Sequence, residues 1–334
     1  MRICLCRRGA ARILETLRAE LPDDEVLECS PEEARDLATT ANVLVPLVTP
    51  IGEELLASRS VRLVQQFGAG LDGVDVDSAS RHGIYVANVP SGETANADSV
   101  AELAIFLMIA LARRWTRAQE SLRTRRIGAP IGTTLKGKTV AIVGFGGIGR
   151  ALARRLRAFR TRVVAVSRHG PRGAETDADL HMRASELHSA LELSDFVVVA
   201  TPLQAETRGL IGREAFARMK PGAFLVNVAR GPVVDREALL EALRSGRLGG
   251  VGLDVFWEEP PDPADPLFSY EVVATPHVGG ATDTSLQDIA REVATNVNRL
   301  RRGEVPRNCV NAPAIDAAAL RAKQDASHQR AKVR

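Results

Sequence analysis

The run Val140-Ala141-Ile142-Val143-Gly144-Phe145-Gly146-Gly147-Ile148-Gly149 joins a β-branched, strand-like segment, Thr139–Val143, to a segment with helical spacing, Gly147–Phe159. Gly144 permits a tight turn between them. Gly146 lets the backbone approach a pyrophosphate, whose charge is favoured at a helix N-terminus. Gly149 allows close packing of helix on sheet. A bare GxGxxG is a weak signal and can be a turn with no ligand. A strand before it and a helix after it are the context that a dinucleotide site requires.

Outward from this turn the chain alternates strand and helix patterns in both directions. Downstream, strands are expected at 162–167, 196–200, 223–228, 250–254 and 272–275, with helices at 185–193, 213–219 and 235–245. Upstream, strands are expected at 2–6, 43–45, 63–66 and 84–87, with helices at 10–20, 31–39, 52–58 and 77–82. Strands alternating with helices imply parallel sheets covered on both faces. The segment 98–114 has apolar residues almost all round its helical wheel, which predicts a buried helix joining two domains. A basic loop, 123–135, follows it. The helical stretch 286–302 is expected to cross back and complete the first domain. The resulting expectation is an α/β chain with two doubly wound parallel-sheet domains: a Rossmann dinucleotide-binding domain (99–285) inserted in a flavodoxin-like substrate domain (1–98 and 286–313). A basic tail, 314–334, completes it.

Composition narrows the function classes. With 45% hydrophobic and 25% charged residues among 334, the chain is globular and long enough for two domains. Aromatics are only 4%, so the cores must be aliphatic. The five basic and two acidic side chains after Asn311 carry the whole formal excess of +3, leaving the body balanced. No basic, aromatic-studded stripe is visible, which argues against nucleic acid. The N-terminus turns charged at Arg7–Arg8, unlike a signal peptide, and the longest apolar run, Leu103–Ala112, is too short to span a bilayer. A cytoplasmic, reduced setting without membrane partners is expected. Cys4, Cys6, Cys29 and Cys309 suggest no disulfide framework. Cys4 and Cys6 alternate with Ile3 and Leu5 as in a buried strand, and no metal site is expected.

Residues at three carboxyl ends of the expected second-domain strands stand out, since ligands bind there in open α/β sheets. His277 follows 272–275 and Pro276 and precedes Gly279–Gly280. Histidine suits proton donation near neutral pH, above all beside a carboxylate that stabilises imidazolium. Arg230 closes Phe224-Leu-Val-Asn-Val-Ala-Arg230. Asp254 and Glu259 lie in Gly252-Leu-Asp254-Val-Phe-Trp-Glu258-Glu259-Pro260. Reduction of a 2-oxo acid needs a cation for the carboxylate, a hydride source and a proton donor at the carbonyl oxygen. A loop histidine, or a single Arg or Glu at a strand end, is ordinarily unremarkable; three on one sheet, facing a dinucleotide turn, are not.

With these motifs, and with Phe67-Gly-Ala-Gly-Leu-Asp and Asn88-Val-Pro, the sequence resembles the D-isomer-specific 2-hydroxyacid dehydrogenases over nearly its whole length. The resemblance implies that Arg230 holds the substrate carboxylate and polarises the oxo group. His277 would pass the proton, Glu259 would pair with His277 and favour its protonated form, and Asp254 would contact the nicotinamide carboxamide. Backbone N–H groups at Ala69 and Gly70 would cradle the carboxylate. Gly144, Gly146, Gly147, Ile148, Gly149, Ser167, Arg168, Thr201, Pro202, Val228, Ala229, Gly279 and Gly280 would complete the cofactor contacts. Family members are typically homodimers with the helix near 98–114 in the interface.

Two departures from the family pattern shape the expectation. The residues Ser167-Arg168-His169 stand where an acidic side chain usually meets the adenosine ribose. Without that carboxylate a 2′-phosphate is not repelled, and the Arg168 guanidinium can bind it. NADP(H) is therefore expected ahead of NAD(H); the alternative is that Arg168 is a solvated surface residue and NAD(H) is taken. Val45-Pro46-Leu47 lacks the Arg expected to meet a substrate phosphate, so an acid with an uncharged tail, such as glyoxylate or hydroxypyruvate, is expected. The alternatives are a D-3-phosphoglycerate dehydrogenase-like enzyme and a dinucleotide-sensing, corepressor-like binding protein. The formate-oxidising branch fits less well, since Glu259 is acidic rather than an amide.

Overall fold

In the computed structural model, residues 1–58, 60–170 and 177–315 are described, and they divide into two compact units. The first comprises Met1–Thr94 and the chain from Asp283; the second is Ala95–Thr282. The expected basic tail lies almost wholly outside the described residues.

The first unit begins β1 (Arg2–Leu5), α1 (Ala11–Glu20), β2 (Glu25–Glu28), α2 (Ala34–Ala38), β3 (Val43–Val45), α3 (Glu53–Leu56), β4 (Leu63–Gln65), α4 (Val76–Arg81) and β5 (Tyr85–Ala87). Its five strands are all parallel, in the order β2-β1-β3-β4-β5. The second unit holds α5 (Asn96–Ala112), α6 (Trp115–Arg123), β6 (Thr139–Val143), α7 (Gly147–Leu156), β7 (Arg162–Ser167), β8 (Leu180–Arg183), α8 (Leu187–Leu193), β9 (Phe196–Val199), α9 (Arg213–Arg218), β10 (Ala223–Asn227), α10 (Arg236–Arg244), β11 (Leu248–Leu253) and β12 (Val272–Ala274). Its sheet is a seven-stranded parallel array, β12-β11-β10-β9-β6-β7-β8. The strand order reverses beside β6, which is where a doubly wound sheet opens its ligand crevice. The last helix, α11 (Asp283–Arg301), returns to the first unit, where Ile289, Ala290, Val293 and Val297 pack with Leu14 and Leu17 of α1.

Aliphatic side chains fill both cores, as the scarcity of aromatics demanded. β6, β9 and β10 are buried along nearly their whole length, the pattern of strands covered on both faces. Two strands escaped the sequence reading, β2 and β8. Both are sheet edges, and Glu-Val-Leu-Glu and Leu-His-Met-Arg mix polar with apolar residues as exposed edges do.

The helix expected at 98–114 begins at Asn96 and belongs to the second unit, where it packs on α7 and on β10–β12. It is not buried all round: Phe106 is 47% and Ile109 37% exposed. Between it and the basic loop stands a further helix that the sequence left unassigned. Arg114 takes a left-handed conformation (φ 51°) that breaks the chain into α6, a short helix of mostly polar residues. No described helix is long and apolar enough to cross a membrane.

Candidate active site

The glycine turn has the geometry its sequence implied. A Cβ at Gly144 (φ +103°) would sit 2.6 Å from the Ala200 carbonyl and the Thr201 nitrogen. One at Gly149 would sit 2.3 Å from the Gly144 oxygen. Gly146, by contrast, faces open space at the N-terminus of α7. Backbone is thus bare where a pyrophosphate would lie and packed tight where the helix meets the sheet, so the turn fits a dinucleotide. At the end of β7, Ser167 is half-buried and its hydroxyl donates to the Gly170 carbonyl at 3.2 Å. Arg168 is exposed and hydrogen-bonds the Gln204 side-chain oxygen.

At the ends of β10, β11 and β12 the backbone is stitched from strand to strand. The Asn227 carbonyl accepts from Asp254 N–H (3.1 Å), and the Asp254 carbonyl accepts from His277 N–H (2.8 Å). Asn227 is wholly buried. Its side chain donates to the Arg230 carbonyl at 2.9 Å and accepts from Ala229 N–H at 3.0 Å, latching the loop that carries Val228, Ala229 and Arg230. The Asp254 carboxylate, 2% exposed, accepts from Thr275 Oγ1 (2.7 Å), Val278 N–H (2.8 Å) and Gly279 N–H (2.9 Å). It thereby fixes the turn in which His277 stands at φ +55°. The nicotinamide contact expected of Asp254 would have to be made alongside these bonds. A Cβ at Gly280 would meet Asn96 Oδ1 at 2.3 Å, so the glycine pair lets α5 approach this turn.

His277 Nδ1 lies 2.7 Å from Glu259 Oε2, and Glu259 Oε1 accepts from Phe256 N–H at 3.1 Å. Burial alone would raise the Glu259 carboxyl. The hydrogen bond and charge of His277, the Phe256 N–H and the charge of Arg230 outweigh it and hold the carboxyl below its usual value. Arg230 Nη1 donates to the Ala229 carbonyl at 2.8 Å, so its guanidinium is anchored within its own loop. The structure therefore brings Arg230, Glu259 and His277 together. The depressed carboxyl also gives a sign for acid stability. The pair's contribution is fully present above the ordinary carboxylate value of 4.5 and is lost as pH falls through the lowered one. Thermal midpoints should accordingly fall more on acidification in the parent than in Glu259→Gln; parallel curves would show that the pair contributes nothing to stability.

Sequence reasoning missed Gly231. A Cβ there would lie 2.1 Å from the Phe256 carbonyl carbon and 2.5 Å from Trp257 N, against backbone that cannot yield. Arg230's loop thus rests directly on the loop leading to Glu259, and Trp257 Nε1 reinforces the contact by donating to the Val234 carbonyl at 2.7 Å. Gly231→Ala should lower kcat/KM about 10²-fold, the scale for displacing a positioned group by roughly 1 Å. Steady-state kinetics on the folded variant would check this; unchanged kinetics would mean that the two loops adjust independently.

In the first unit Ala69 and Gly70 lie in a loop whose carbonyls are engaged. Asn88 Nδ2 donates to the Ala69 oxygen (2.7 Å), and Gln66 Nε2 donates to Gly70 (2.7 Å) and Leu47 (2.8 Å).

Residues 105–279 match the family described as "D-isomer specific 2-hydroxyacid dehydrogenase, NAD binding domain". The chain is 39% identical over 302 residues to the glyoxylate reductase of Thermococcus gammatolerans, covering 87% of each. This chain belongs to the D-isomer-specific 2-hydroxyacid dehydrogenases. Among solved structures of that fold, the TT0316 protein from Thermus thermophilus superposes with a TM-score of 0.80 at 33% identity, over 93% of this chain and 100% of that one. A glyoxylate reductase from Paecilomyes thermophila gives 0.77 at 28% identity, over 91% and 97%. As a 2-hydroxyacid dehydrogenase the chain is a hydride-transferring oxidoreductase that uses a nicotinamide dinucleotide.

Proposed function

We propose that this dehydrogenase reduces a short 2-oxo acid with an uncharged tail, of the glyoxylate or hydroxypyruvate type, with NADP(H) preferred over NAD(H). The observation that supports the assignment of roles is the 2.7 Å pair of His277 and Glu259 beside the charge of Arg230. Arg230 offers its planar fork to the carboxylate and polarises the oxo group. Glu259, held ionised, accepts from Nδ1–H of His277, which leaves Nε2 as the nitrogen that donates a proton to the carbonyl oxygen. The bound reduced nicotinamide supplies the hydride to the same carbon. The curated relatives carry the name glyoxylate reductase, and the loop Val45-Pro46-Leu47 lacks the Arg that a phosphorylated substrate would call for. Assays of glyoxylate, hydroxypyruvate and a phosphorylated analogue with each cofactor test the reading; preference for the phosphorylated acid would overturn it.

The cofactor preference rests on Arg168, exposed beside a β7 end that carries no carboxylate. A hydrogen bond to a charged group is worth about 1.5–3 kcal/mol. Arg168→Ala should therefore weaken NADPH binding by about 10- to 100-fold and leave NADH nearly unchanged. Equal effects on both cofactors, read by fluorescence titration, would remove the phosphate contact. We further propose a homodimer built on α5 and α6, which expose Phe106, Ile109, Trp115 and Leu122 in sequence neighbourhood.

A further inference from the structure

Cys4 in β1, Cys6 just past its end and Cys29 just past β2 direct their thiols to one point in the first unit. Cys4 Sγ and Cys29 Sγ are 3.0 Å apart, and all three sulfurs lie within 4.8 Å of one another. The sheet fixes the backbone that carries them. Cys29 N–H donates to the Leu5 carbonyl at 3.0 Å, and Cys6 N–H donates to Val45 at 2.9 Å. All three cysteines are buried in an apolar cluster with Ala34, Ala38, Leu44 and Val64. The sequence reading joined Cys4 to Cys6 but found no third ligand nearby; parallel pairing of β1 and β2 supplies Cys29 from 25 residues downstream of Cys4.

We propose that Cys4, Cys6 and Cys29 form a three-sulfur site for one trivalent thiophilic ion of the arsenite type. A metal–thiolate bond is about 2.3 Å long, so one ion bonded to three sulfurs holds them at most about 4.0 Å apart, a separation between the 3.0 Å of the Cys4–Cys29 pair and the 4.8 Å that bounds the cluster. Charge selects the valence. Three thiolates around a trivalent ion are neutral, whereas a divalent ion leaves one negative charge and a monovalent ion two, and uncompensated charge in apolar surroundings is costly. Tetrahedral zinc also wants a fourth ligand. Among the described residues no His, Asp or Glu joins the three sulfurs.

Uptake needs no oxidant. Three S–H bonds and three As–OH bonds break, three As–S bonds form, and three waters leave, with arsenic and sulfur unchanged in oxidation state.

The test is native mass spectrometry of the reduced full-length protein with sodium arsenite. The expected result is a gain of one arsenic less three hydrogens, together with a sulfur–arsenic charge-transfer band. Cys309→Ala should keep both signals, and Cys6→Ala should lose the three-sulfur adduct. Absence of uptake by the parent protein, an adduct that displaces only two hydrogens, or tighter retention of zinc or copper(I) than of arsenite would each overturn the proposal. Because the parent alone gives the first readout, a variant that fails to fold leaves the test intact.

Discussion

His277→Ala should lower turnover with the best 2-oxo acid about 10²- to 10⁴-fold, the range for losing a general acid, while cofactor binding stays close to that of the parent. The residue is placed by backbone, not by its own side chain. Its N–H is bonded to the Asp254 carbonyl, and its neighbours Val278 and Gly279 donate to the Asp254 carboxylate. Removing the imidazole should therefore leave the turn standing. What disappears is the group 2.7 Å from Glu259 that can carry a proton at its far nitrogen. Reduction requires a proton from that group, so the loss should fall on kcat more than on KM. A variant of unchanged turnover would assign the acid to another residue.

Legibility in the sequence followed the strength of the local physics. The glycine turn was readable because each glycine answers a separate steric demand, and those demands are met at Gly144 and Gly149 by contacts that no side chain could share. The central strands were readable because burial on both faces forces continuous aliphatic runs. β2 and β8 were not, since an edge strand owes its existence to its neighbour and shows mixed charge in sequence. Asn227 could have been found: a polar residue closing Phe-Leu-Val-Asn in a wholly buried strand must have partners, and it holds the Arg230 loop. Gly231 had no comparable signal, because its demand comes from the backbone of Phe256, brought near only by the sheet. Cys29 was invisible as a neighbour of Cys4 for the same reason. Parallel pairing joins residues that sequence spacing keeps apart.

Arg230→Ala should lower kcat/KM for the 2-oxo acid about 10²- to 10³-fold, as removal of one positioned donor to a developing oxyanion does. Dinucleotide affinity should hold. Two features make the guanidinium more than a surface charge. Its main chain is clamped by Asn227 on one side and by the Gly231–Phe256 contact on the other, so the side chain starts from a fixed root. Its charge reaches the Glu259 carboxyl, so it shares the electrostatic field in which His277 works. Arg230→Lys separates the two contributions. Lysine keeps the charge but loses the fork that matches a carboxylate, so it should restore only part of the rate. If lysine restored full kcat/KM, charge alone would suffice and bidentate capture of the carboxylate would be wrong. If alanine cost nothing, the carboxylate would be held elsewhere, and the convergence of Arg230 on the histidine–glutamate pair would have no part in the reaction.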